Sequence, residues 1–183
     1  FALSWTMVKR KVVQQGGKRV KSSTGVASGY LHGFSHSEQD RLRAQARFLE
    51  HMVFKGVDFS DKHHVVELGC GVGAQTEILL ERFPHLKVTG IDSQAKQIAS
   101  AKKAHAGNKA RVSFDVGDAL HLPYLDSSFD GAFICWFLEH VANPVDILAE
   151  LRRVLRTSAK VFISEVQNHT LYVHPYSPAT LQY

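Results

Sequence analysis

The segment Glu67-Leu68-Gly69-Cys70-Gly71-Val72-Gly73-Ala74 places an acid just ahead of three alternating glycines. Glycine lets main chain approach a ligand closely, and the N–H groups that open a following helix favour an anionic group. Two ligand chemistries suit such a turn. Gly69, Gly71 and Ala74 nominally satisfy the dinucleotide fingerprint, with Asp92 about where a ribose-binding acid should stand. Glu67 speaks against that reading, because a dinucleotide site usually has an apolar residue there and a carboxylate repels pyrophosphate. The same carboxylate attracts a ligand that carries an ammonium and a sulfonium. Asp118 supplies another acceptor, suited to an exocyclic amine.

These side chains need elements to position them. HHVVELG (63–69) is a short apolar run ending in glycine, which predicts a buried strand. A helix from Ala74 to Phe83 is stopped by Pro84. The alternation continues with a strand at 86–92, a helix from Gln94 to His105, and strands at 110–118 and 129–136. Asn143 and Pro144 open a helix as cap and first residue, and Ile147, Leu148, Leu151, Val154 and Leu155 form its apolar face. A last strand is expected over 159–166. Ahead of all this, Ser37 can cap a helix whose apolar face is Leu42, Ala46, Leu49 and Val53. Strands alternating with helices predict an α/β fold, a Rossmann-like doubly wound parallel sheet with its ligand at the carboxyl ends of the strands.

VVELGCGVGAQT, GIDS, VGDALHLPYLDSSFDGAFICWFLEHVANP and LRRVL together resemble the class I S-adenosylmethionine-dependent methyltransferases, over roughly residues 60–166. YLHGFSHSEQDRLRAQARFLE (30–50) is similar to the N-terminal cap of a subgroup acting on small molecules and natural products. One departure is LRTSAKVF, which replaces the family's proline-glycine-glycine turn before the fifth strand. The resemblance implies S-adenosyl-L-methionine as cofactor. Glu67, Gly69, Cys70, Gly71 and Gly73 would line its methionine end, and Asp92 would accept from both ribose hydroxyls, with Ser93 by the adenine. Asp118 would accept from the adenine amine, Ala119 and Leu120 would cover the ring, and Trp136 would lie beside the methyl-transfer channel.

Methyl transfer from a sulfonium is an in-line displacement that asks mainly for alignment and exclusion of water. A general base is needed only for an acceptor that arrives protonated. The candidates are His140, Tyr30 and His169, and the expected acceptor pocket draws on Tyr30, His32, Asn168, His169, Tyr172 and His174. No metal site is expected. His32 and His36 are four apart but straddle Gly33 in a loop, and no cysteine or carboxylate set completes a shell. Cys70 and Cys135 read as packing residues. The fourth strand ends Ile134-Cys135-Trp136-Phe137, without the polar-Pro-Pro-aromatic pattern of methylases acting on nucleic-acid amines.

A chain of 183 residues, 44% hydrophobic and 21% charged, fits one soluble globular domain. Its longest apolar run, Ala132 to Leu138, is seven residues and cannot span a membrane. Two cysteines and no export signal point to the cytoplasm. The net charge of +5 comes from residues 1–37, which hold six basic residues and no acid; the rest has 16 basic and 17 acidic. The division expected is a basic arm and linker at 1–29, a cap or lid helix at 30–58, a cofactor-binding core at 59–166 and a substrate-side segment at 167–183. The arm lacks the aromatic interleaving of a nucleic-acid module. Only seventeen residues follow Val166, too few for the helix and antiparallel strand pair that close the family's sheet. The expectation is a truncated form, or a fifth strand covered by another subunit; arm and edge are the two surfaces for homo-oligomers. Two other functions share the fold: an NAD(P)-dependent oxidoreductase, and a non-catalytic cofactor-binding interaction subunit.

Overall fold

The computed structural model describes residues 36–166. Along the chain come α1 (His36–Val53), β1 (His64–Leu68), α2 (Ala74–Arg82), β2 (Lys87–Asp92), α3 (Ala95–Ala104), β3 (Val112–Val116), β4 (Phe129–Cys135), α4 (Pro144–Val154) and β5 (Leu155–Ser164). The five strands form one parallel sheet in the order β3-β2-β1-β4-β5. The order reverses at β1, so a crevice opens between the carboxyl ends of β1 and β4. Both faces of β1 are covered, and Val65, Val66, Glu67 and Leu68 are all buried.

One face carries Val65, Val88 and Phe133 against α1 and α2, with the Phe54 ring stacked on Phe133 at 5.1 Å. The other carries Val66, Leu68, Ile91 and Ile134 against Ile147 and Leu151 of α4. Burial of such side chains supplies most of the stabilisation, roughly 1.5–3 kcal/mol each. Arg47 pins α1 to α2 through Glu77 and Glu81, while Gln39 and Arg43 reach Ser100 of α3. At the end of the sheet away from the crevice, Asp130 accepts the N–H groups of His63 (2.9 Å) and His64 (2.8 Å), fixing where β1 starts.

The structure departs from the sequence-based expectations at three points. β5 begins at Leu155, not at Ala159, so α4 passes into a strand with no intervening loop. Between its pairings Phe129↔Leu155 and Gly131↔Lys160, β4 advances two residues and β5 five. The segment expected as a turn is thus a bulge, held by the Arg156 side chain donating to Ser127 O at 3.2 Å. Pro144 opens α4 as expected, but the Asn143 side chain makes no capping bond; its carbonyl takes the Ile147 N–H at 3.3 Å instead. The third strand is shorter than expected and stops at Val116, before the Gly117–Asp118 turn.

Candidate functional site

The turn after β1 is built from three left-handed glycines, with φ of +66° at Gly69, +52° at Gly71 and +74° at Gly73. L-residues resist that conformation, so glycine is required by the backbone alone. Surroundings then distinguish the three. A Cβ on Gly69 would collide with the Phe137 ring, and one on Gly73 would stand 3.0 Å from His105 Nε2. At Gly71 a Cβ would meet nothing within 4 Å. The middle of the turn therefore borders open space.

Glu67, one residue before the end of β1, lies beneath this turn and is only 2% exposed. Thr76, in the first turn of α2, donates its hydroxyl to Glu67 Oε2 at 2.5 Å. Burial pushes the Glu67 carboxyl up to about 8; the Thr76 hydrogen bond opposes the rise and the nearby Asp92 charge adds to it. A cation brought beside Glu67 would relieve that burial. Asp92 ends β2 and accepts from Gly71 N–H at 3.0 Å and Gln94 N–H at 2.8 Å. It too is held above the usual carboxylate range, chiefly by burial.

Trp136 leaves β4 with φ +51°, one of two non-glycine residues with positive φ among the described residues. Its N–H donates to Ser164 O at 2.9 Å. Phe137 and Leu138 then donate their N–H groups to Glu165 Oε1 at 3.1 and 2.9 Å. Strained main chain of this sort marks positions that surrounding structure holds in place. Burial drives the Cys135 thiol far above its ordinary value, with Glu67 and Glu165 both adding to the effect. Cys70 is also buried and pushed up, so neither thiol is a ready nucleophile.

Glu67, the glycine turn, Asp92 and Trp136 thus meet at the crevice. Asp118 stands apart on the exposed turn after β3, accepting from Leu120 N–H at 2.9 Å. Ser93 is exposed, and Ala119 and Leu120 pack partly against the α4-side core. His140 lies in the single turn Leu138–His140, 3.6 Å from Glu139 and 43% exposed. Tyr30, His32, Asn168, His169, Tyr172 and His174 lie outside the described residues. Sequence reasoning missed Thr76, Phe137 and Glu165. A buried acid needs a donor, and Thr76, one turn into the next helix, was the signal available for the first. No comparable signal marks Phe137 or Glu165, whose roles depend on which strands are neighbours.

An open glycine cradle, a buried carboxyl under it and an acid at the end of the adjoining strand stand together on a Rossmann-like sheet. Residues 66–163 match the family model described as methyltransferase domain, and the chain belongs to that family. It is 30% identical over 169 residues to the O-methyltransferase cnsE of Penicillium expansum, covering 88% of this chain and 59% of that one. It is 29% identical over 131 residues to the methyltransferase GfsG of Streptomyces halstedii, covering 71% and 47%. The chain therefore spans about half the length of these relatives. A SAM-dependent methyltransferase from Aquifex aeolicus superposes with a TM-score of 0.63 over 80% of this chain and 79% of that one, at 23% identity, a likeness of fold. Among the described residues no helix is long and apolar enough to cross a membrane.

Proposed function

We propose that this chain carries the cofactor-binding core of an S-adenosylmethionine-dependent methyltransferase acting on a small-molecule acceptor. The observation that carries it is the buried Glu67 carboxyl beneath Gly71, whose Cβ position is open. That pairing fits a cationic amino-acid end and not a pyrophosphate, and so disfavours the nicotinamide reading.

In this reading Glu67, Gly69, Cys70, Gly71 and Gly73 receive the methionine end. Asp92 has lone pairs beyond its two main-chain bonds with which to accept ribose hydroxyls. Ser93 lies by the adenine, Asp118 takes the adenine amine, and Ala119 and Leu120 cover the ring. Trp136 closes the crevice at the methionine end. The cofactor, when bound, supplies an electrophilic methyl on a sulfonium sulfur. The chain's own contribution is alignment and exclusion of water. His140, Tyr30 and His169 are the candidates to take a proton from the acceptor, and Tyr30, His32, Asn168, His169, Tyr172 and His174 to bind it.

Calorimetry with S-adenosylmethionine and with NADH tests the reading directly. Binding of the first and not the second is expected, and the reverse result removes it. Asp92→Ala should weaken S-adenosylmethionine binding by about 2 kcal/mol, since charged hydrogen bonds are lost. Gly71→Val should be worse, because it combines left-handed strain with a side chain in the open cradle. Unchanged affinity in Asp92→Ala would sink the site assignment.

A further inference from the structure

Glu165, the first residue past β5, is used by nothing in the scheme above. Its Oε1 accepts from two consecutive main-chain donors, Phe137 N–H at 3.1 Å and Leu138 N–H at 2.9 Å. Those donors lie just where β4 leaves the sheet, directly after the left-handed Trp136. The Phe137 ring held in this way occupies the space beside Gly69 that no side chain could share. A line of contact therefore runs from the end of β5, through Phe137, to the glycine turn.

The other carboxylate oxygen is placed differently. Glu165 Oε2 is buried and has no hydrogen-bond partner among the described residues. A buried acceptor of that kind is costly, and native proteins keep one mostly where a ligand, ion or water completes it. In the strand order β4 lies between β1, which carries Glu67, and β5, whose Ser164 pairs with Cys135, so the two acids stand on opposite sides of β4. Glu67 belongs to the cofactor's side. Glu165 lies on the side left for the acceptor.

We propose that Glu165 positions the post-β4 segment against the cofactor turn with one carboxylate oxygen and receives a hydrogen bond from the methyl acceptor with the other. The acceptor class that follows is protic, a hydroxyl or an amine, because only such a nucleophile has a hydrogen to donate. This rests on the methyltransferase reading.

Glutamine separates the two roles. Its amide oxygen can still accept from Phe137 and Leu138, while its NH2 replaces the free acceptor with a donor. Calorimetry with S-adenosylhomocysteine should find Glu165→Gln within about twofold of the native chain and Glu165→Ala weakened roughly tenfold or more. Phe137→Ala should reproduce the weakening without touching the carboxylate, which keeps the test open should Glu165→Ala fail to fold. Saturation-transfer NMR on the S-adenosylhomocysteine complexes then compares phenol with anisole as probes. The native chain should prefer phenol by about fivefold, and Glu165→Gln should lose the preference, since both probes can accept from an NH2.

Native affinity in both Glu165→Ala and Phe137→Ala overturns the positioning role. Equal binding of phenol and anisole by the native chain, or a preference that survives in Glu165→Gln, overturns the acceptor contact. Failure of the native chain to bind S-adenosylhomocysteine is a separate result, and it brings down the methyltransferase reading beneath the proposal.

Discussion

Glu67 stands in β1 between Val66 and Leu68 and opposite Gly90 and Phe133, and a carboxyl in that setting is stable only when neutral or paired with a cation. With its folded value raised to about 8 from an ordinary 4.5, its favourable contribution is full below pH 4.5 and is lost as pH climbs to 8. Asp92, also raised by burial, pushes in the same direction. The empty protein should therefore lose stability from pH 5 to 8, and Glu67→Gln should remove much of that slope. Denaturant melts of the two proteins should diverge by on the order of 3 kcal/mol across this range, the glutamine form gaining relative to native as pH rises. Parallel curves would mean that Glu67 stays ionised in the fold. The sequence showed that an acid stood here and which charge it would favour. It did not show the consequence of strand order, by which Glu165 and Phe137, 28 residues apart, come together where β4 and β5 end.

At the scale of elements, the segment between β3 and β4 has no helix of its own and is tied to α4 by Arg153 and Glu150. Arg153 of α4 donates to Leu122 O at 3.0 Å, Tyr124 O at 2.8 Å and Asp126 at 2.7 Å, and is itself oriented by Glu150. Glu150 also takes the Leu122 N–H at 2.9 Å. Arg153→Ala should leave the sheet intact and loosen residues 117–128, which carry Asp118, Ala119 and Leu120. Faster amide hydrogen exchange confined to that segment, with weaker S-adenosylmethionine binding, is the expected outcome; exchange unchanged there would show that the core packing of Leu122 and Tyr124 suffices. Lysine should not rescue it, because one ammonium cannot reach the fork of acceptors that a guanidinium spans. Most elements were legible from periodicity, since β1, β2 and α2 have clear apolar runs with glycine or proline punctuation. The start of β5 was not. Arg156, Thr157 and Ser158 are polar and look like a loop, and only pairing with β4 makes them a bulged strand.

For the molecule as a whole, the fold divides labour between the two sides of β1. In the proposed function one side carries the cofactor groups on β1 and β2, and the other presents β4 and β5 to the acceptor. The α1 helix packs on α2 and α3. The segment Tyr30-Leu31-His32-Gly33-Phe34 is proposed as the lid, and deleting residues 1–36 should lower turnover while circular dichroism and melting of the core are retained. Full activity in the deleted form would remove the lid from the scheme. The proposed acceptor residues after Val166 rest on resemblance alone, because no local pattern in QNHTLYVHPYSPATLQY dictates a regular element.

The twisted main chain at Trp136 has an optical consequence. The chain has two tryptophans, Trp5 and Trp136, and the second follows the carboxyl end of β4, partly buried against the core on the α1 and α2 face. An indole's emission colour follows the polarity around it, so a ligand settling there should change the glow of this one ring. With Trp5 replaced by phenylalanine, the protein becomes a single-emitter sensor of its own site, and titrations at the bench need neither label nor turnover.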